Sequence, residues 1–110
     1  KTKVGKVVLD STALTAADYL LFTVGFTPKY VRYENATSRI AVEWFEGMTA
    51  DTCIKTVAAG TRTLETTNKG ITICDSDGTA STLGRYFKVS QNATLAVVEA
   101  STSGYFIAHG

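Results

Sequence analysis

Two short alternating runs joined by a polar link constrain this chain more than any other feature. After Pro28, the polar Tyr30, Arg32 and Glu34 alternate with Val31 and Tyr33; after Asn35-Ala36-Thr37-Ser38, Ile40, Val42 and Trp44 alternate with Ala41 and Glu43. Successive side chains on a strand point to opposite faces, so a period of two marks a strand with unlike faces. Two such runs around a short link of Asn, Thr and Ser read as a β-hairpin over residues 29–34 and 39–46. Alternation also ties each run's apolar residues to one side. Val31, Tyr33, Ile40, Val42 and Trp44 are therefore expected to include one continuous inward-facing set.

The rest of the chain repeats this grammar more weakly. Strands are expected over residues 3–9, 19–24, 52–58, 60–64, 71–74, 83–90, 95–100 and 104–108, with turns about every 8–12 residues. Asp75-Ser76-Asp77-Gly78 is a strong turn, because Asp side chains cap nearby amides and Gly tolerates positive φ. Eighteen Thr and seven Ser accompany a single Pro, and β-branched Thr suits a half-exposed pleated surface. Thr15-Ala16-Ala17-Asp18 has the spacing of a capping box, which allows at most a turn or two of helix. The expected fold is all-β: a single antiparallel β-sandwich or jelly-roll-like barrel with at most one short helix. With 110 residues the chain is read as one domain, residues 1–110, with residues 1–6 a candidate N-terminal arm.

Charge and hydropathy then exclude several classes. Hydrophobic residues make up 45% and charged residues 19%, which is a globular rather than a disordered balance. The formal net charge is +1 with the signs mixed along the chain, which leaves no basic stripe for a nucleic-acid partner. No apolar run approaches the roughly 20 residues that span a bilayer, so no membrane partner is expected. Lys1, Lys3 and Lys6 precede Val7-Val8-Leu9, an apolar stretch too short for a signal-peptide core. A protein made and kept in a cytoplasm is the expectation.

Catalytic and metal signatures are sparse. The one histidine, His109, lies beside the C-terminus, where chain ends fray, and is read as an idle surface residue. Without a second His, no Ser or Cys nucleophile has its usual base, and no catalytic residues or cofactors are expected. Cys53 and Cys74 stand 21 residues apart; two cysteines alone do not complete a zinc site, and buried free thiols are expected over a disulfide. Counted as a calcium loop from Asp75, the fifth, sixth and twelfth positions hold Thr79, Ala80 and Tyr86 rather than acid, Gly and Glu, so a β-turn is the better reading. The sequons at Asn35 and Asn92 fall in expected turns and are read as turn-forming Asn.

Aromatics are the remaining asset. Trp44-Phe45, Tyr86-Phe87 and Tyr105-Phe106 are adjacent pairs, and on a strand one member of each must leave the core. Exposed aromatics are enriched at contact surfaces. The interface candidates are Lys1, Lys3, Lys6, Tyr30, Arg32, Phe45, Tyr86 and Tyr105.

The stretch Gly25-Phe26-Thr27-Pro28-Lys29-Tyr30-Val31, continuing through Asn35-Ala36-Thr37 to Glu43-Trp44-Phe45-Glu46-Gly47-Met48, resembles small structural proteins of tailed phages. In these a GF-P-V strand leads through a polar turn into a strand ending EWF-GM. Thr56-Val57-Ala58-Ala59-Gly60-Thr61-Arg62-Thr63 and Gly70-Ile71-Thr72-Ile73 look like the same type of protein. Size and Thr-rich β character resemble the capsid decoration, or staple, proteins of short-tailed phages of the epsilon-fifteen kind. The resemblance implies a compact β domain, often jelly-roll-like, that sits on the outer capsid surface of the virion after assembly in the host cytoplasm. Its partners would be the major capsid protein lattice and further copies of itself, as a homodimer or other homo-oligomer. It would stabilise the shell by bridging capsid subunits, without chemistry. A tail or head–tail joining protein is the nearest alternative, and a carbohydrate-binding β-sandwich using Trp44 or a Tyr as a stacking platform is the alternative of another class.

Overall fold

The computed structural model describes every residue of the chain except Ala16. Among the described residues nine strands follow in order: β1 (Thr2–Val8), β2 (Tyr19–Thr23), β3 (Tyr30–Asn35), β4 (Ile40–Phe45), β5 (Cys53–Thr56), β6 (Arg62–Glu65), β7 (Ile71–Cys74), β8 (Tyr86–Ser90) and β9 (Ser103–His109). They form a six-stranded sheet in the order β1-β9-β3-β4-β5-β6 and a three-stranded sheet in the order β2-β8-β7. Every pairing is antiparallel. The two sheets pack face to face as a β-sandwich, the first of the two architectures expected, and no helix occurs among the described residues.

The hairpin forms as its alternation requires. Val31 pairs with Trp44, Tyr33 with Val42 and Asn35 with Ile40. Val31, Tyr33 and Val42 are fully buried, Trp44 nearly so, and Ile40 packs against them. The turn is held by Asn35, whose Oδ1 accepts from the amides of Thr37 and Ser38 at 3.0 and 3.1 Å. Its Nδ2 donates to the Val97 carbonyl at 3.0 Å, which removes Asn35 from any role as a surface sequon.

An aromatic lock joins the sheets. Phe22 of β2 stacks on its neighbour Phe87 with centroids 4.7 Å apart, and meets Phe106 of β9 at 4.6 Å and Tyr33 of β3 at 5.8 Å. Room for these rings comes from glycines on adjoining strands: a Cβ at Gly5 would stand 2.4 Å from the Phe106 ring, and one at Gly104 would stand 2.1 Å from the Tyr33 hydroxyl. Burying a Phe of this kind is worth about 3–5 kcal/mol against Ala. Each adjacent aromatic pair splits as expected. Trp44, Phe87 and Phe106 turn inward; Phe45, Tyr86 and Tyr105 turn outward.

Two expected strands take another form, in whole or in part. Residues 95–100 are not a strand, although Leu95 and Val97 are fully buried and Val98 nearly so. Asn92 starts a turn by accepting from Thr94 and Leu95, and Ala96 takes a left-handed φ of 56°, which no extended strand tolerates. An apolar run reports burial, not strand geometry. Residues 83–85 turn before β8 begins, leaving Leu83 81% exposed. Asp18 accepts from the Thr15 amide at 2.8 Å, as a capping box would, and Ala17 has φ 83°, in keeping with at most one short helix; Ala16 of that motif lies outside the described residues. Residues 1–6, read as a candidate arm, run into β1, which pairs with β9 from Thr2↔His109 to Val8↔Ser103.

Tyr33 and Asn35 make opposite predictions. The Tyr33 hydroxyl is buried with no hydrogen-bond partner, a desolvated group that contributes nothing. Tyr33→Phe should leave stability unchanged or raise it. Asn35→Asp removes the donor to Val97 and sets a carboxylate against that carbonyl, and should cost at least about 1–3 kcal/mol. Urea unfolding of the two variants measures both; a Tyr33→Phe variant that unfolds as readily as Asn35→Asp contradicts this core.

Candidate functional site

The solvent side of the six-stranded sheet is the most distinctive surface of the molecule, and its rows follow from register. One row runs Val4, Ile107, Arg32, Glu43, Ile54, Leu64 across all six strands. The row beside it runs Lys6, Tyr105, Glu34, Ala41, Thr56, Arg62, and the one on the other side runs Thr2, His109, Tyr30, Phe45. Six strands spaced about 4.8 Å apart make this face about 24 Å wide. Val4 and Leu64, at its two edges, are each 64% exposed, and Phe45 and Tyr105 are nearly half exposed. Single exposed apolar residues are ordinary; here several share one face, Val4 and Ile107 on one side of Arg32 and Glu43 and Ile54 and Leu64 on the other.

At the centre is an ion-pair network built on one carboxylate. Glu43 accepts from the Tyr30 hydroxyl at 2.6 Å and from Arg62 at 3.0 Å, while Arg32 lies at 3.6 Å and itself donates to Glu34 at 2.8 Å. Strand register, not loop flexibility, holds these groups: Arg32 faces Glu43 directly across β3 and β4. Every oxygen of the Glu43 side chain is engaged, so it is no open base. Burial, and then the hydrogen bond to Glu43, push the Tyr30 phenol up to about 12. Around the network, Tyr30 packs against Phe45 at 5.0 Å and His109 at 5.7 Å, and the Lys6 ammonium sits 5.8 Å from the Tyr105 ring.

Of the eight interface candidates, five share this face: Lys6, Tyr30, Arg32, Phe45 and Tyr105. Lys1 and Lys3 are exposed at the β1 edge, Lys1 tied to the other chain end by the Gly110 amide at 2.9 Å. Tyr86 is on the outer side of the opposite sheet, since its neighbour Phe87 faces the core. It cannot act together with the other five.

Sequence reasoning passed over Ile107, Ile54 and Leu64. Their signal was alternation along β5, β6 and β9, but only cross-strand register places them in one row with Arg32 and Glu43. His109 is not idle at a frayed end: its ring hydrogen-bonds Thr2 at 3.1 Å and packs beside Tyr30. Trp44 is 7% exposed and belongs to the core, so it is no stacking platform. Beside its edge, Pro28, Glu46, Met48, Ile73 and Thr82 line an open cleft of about 400 Å³ at one end of the sandwich.

Cys53 and Cys74 are free and buried. Burial pushes the Cys53 thiol up to about 12, and its Sγ donates to the Lys69 carbonyl at 3.4 Å. Such a protonated thiol is packing material rather than a nucleophile. Asp75-Ser76-Asp77-Gly78 is a turn closed by Gly78 donating to the Asp75 carbonyl at 2.9 Å. Among the described residues no cluster of acids, His and Cys could hold a metal. Comparison with protein-family models, with curated proteins and with solved structures finds no match to this chain.

The two raised phenols set an alkaline limit. Tyr30 and Tyr33 both stand at about 12, Tyr33 through burial alone. The folded state keeps protons that the unfolded chain loses above about 10, so their contribution to stability is complete below pH 10 and lost as pH rises to about 12. Tyr30 and Tyr33 should ionise late and together with loss of structure. Tyrosinate absorbance against circular dichroism tests this; Tyr30 and Tyr33 ionising at about pH 10 while the fold persists would contradict it.

Proposed function

We propose that this protein is a non-enzymatic capsid decoration module that binds the outside of an assembled phage shell and stabilises it by bridging capsid subunits. One observation carries the proposal. The segment that resembles phage structural proteins, from Gly25 through Asn35 to Met48, is the β3–β4 hairpin that sets Tyr30, Arg32, Glu43 and Phe45 in the exposed sheet face. The resemblance and the exposed surface coincide.

Magnitudes shape how such a module works. A face about 24 Å wide and about 20 Å along the strands offers about 500 Å² of flat area. A standard interface takes about 800 Å² per partner, so the sheet face alone gives a weak contact. A shell repeats that contact many times over, and repetition converts modest affinity into firm attachment. It also explains a preference for the assembled lattice over free subunits, since a seam between subunits exists only once they are arrayed. Association with further copies of the chain, most simply as a two-fold dimer, covers more of the exposed aromatics. Lys1, Lys3 and Lys6 at the β1 edge add long-range attraction to acidic neighbours, screened by salt.

Co-sedimentation with undecorated particles tests the proposal. Wild-type protein should pellet with particles and raise their heat resistance. Phe45→Ser combined with Tyr105→Ser should weaken attachment by about 2 kcal/mol or more. Lys1→Glu with Lys3→Glu should cost only about 0.2–1 kcal/mol per lost pair, and Tyr86→Ser should have no effect. Protein that never co-sediments, with particles equally robust without it, overturns the reading.

A further inference from the structure

On the far side of the sandwich, the outer surface of the three-stranded sheet borders an open cavity of about 580 Å³, within the range of about 300–1,000 Å³ typical of small-ligand sites. Its lining includes Tyr19, Asp18, Asp51, Asn68, Lys88 and Gln91. We propose that this cavity is a binding site for a neutral saccharide, with Tyr19 as the ring against which the sugar lies. The proposal is independent of the capsid reading, which concerns the opposite face.

Register builds the site. Tyr19 pairs with Ser90, and Leu21 and Thr72 flank Lys88, so alternate residues of β2, β8 and β7 project outward together. The Lys88 ammonium sits 4.7 Å from the centre of the Tyr19 ring and steadies it, while the residue stays 42% exposed. An aromatic ring held at the edge of a cavity of mixed polarity presents an apolar face to sugar C–H groups.

The polar groups match hydroxyls better than ions. One Asp18 oxygen accepts from Thr15, and one Asp51 oxygen accepts from the Ser90 hydroxyl. The second oxygen of each carboxylate has no protein partner among the described residues. The side-chain amides of Asn68 and Gln91 make no hydrogen bond within the described protein either, so the cavity offers donors and acceptors side by side. Sugar hydroxyls both donate and accept, and use such a mixture fully. Two carboxylates against one ammonium leave a formal charge of −1, which repels phosphate and sulfate.

Isotope-labelled protein titrated with neutral hexoses and N-acetylhexosamines, followed by amide chemical shifts, tests the assignment. Saturable shifts should cluster at Ala17, Tyr19, Asp51, Asn68 and Lys88 for at least one sugar. Tyr19→Ala should weaken binding roughly tenfold, about 1.4 kcal/mol. Gln91→Ala, which removes an amide but no packed ring, should weaken it as well with the spectrum otherwise unchanged. Inorganic phosphate should give no saturable shift. Saturation by phosphate alone, shifts elsewhere on the protein, no saturable shift with any sugar, or full affinity in both variants each overturns the proposal. Co-sedimentation of Tyr19→Ala with particles should match wild type, which separates this site's failure from failure of the capsid reading.

Discussion

Phe22 stands where the two sheets meet, within 4.6 Å of Phe106 and 4.7 Å of Phe87, and within 5.8 Å of Tyr33. A three-stranded sheet is marginal in water and needs an apolar face packed against another element to persist. Here that face is Phe22, Phe87, Val89, Ile71 and Ile73, all buried. The six-stranded sheet depends on the same contact from its other side, because Tyr33 and Phe106 lie in its middle strands. With the core filled by this cluster, the outward residues of β3, β4 and β9 are released from any packing duty. Their chemistry is then a matter of what meets the surface.

That freedom has a structural cost, which the molecule offsets locally. A broad sheet with one open face and two free edges invites uncontrolled pairing. Lys3 and Lys6 on β1 and Arg62 on β6 place charge on both edge strands, and the Glu43 network pins Tyr30, Arg32 and Arg62 in fixed positions. Exposed ion pairs of this kind add little to stability. Their use is geometric: they keep a patch of aliphatic and aromatic side chains from collapsing on itself. The result is a preorganised surface, which on the proposed reading lowers the entropy that attachment would cost.

How far the sequence could be read follows from which signals are local. The hairpin, the splitting of Trp44-Phe45, Tyr86-Phe87 and Tyr105-Phe106, and the turn at Asp75 all depend on neighbours in the chain, and each was legible. Leu95, Val97 and Val98 read as part of a strand and not as a buried irregular segment, because the constraint that shapes them is remote. Asn35 and Lys55 hold that segment through the carbonyls of Val97 and Thr94. The face itself was half legible. Alternation told which of Tyr30, Arg32, Phe45 and Tyr105 leave the core, but only the order β1-β9-β3-β4-β5-β6 sets them beside Val4, Ile107, Ile54 and Leu64 and sends Tyr86 to the opposite side.

Side-chain footprinting of the protein free and bound to undecorated particles tests the central claim most directly, because it reads which face is covered. With the six-stranded sheet as the contact surface, Tyr105, Phe45 and Tyr30 lose reactivity on binding, while Tyr86 and Leu83 keep theirs. Protection of Tyr86 and Tyr19 with Tyr105 and Phe45 left reactive would place the contact on the other sheet and contradict the account.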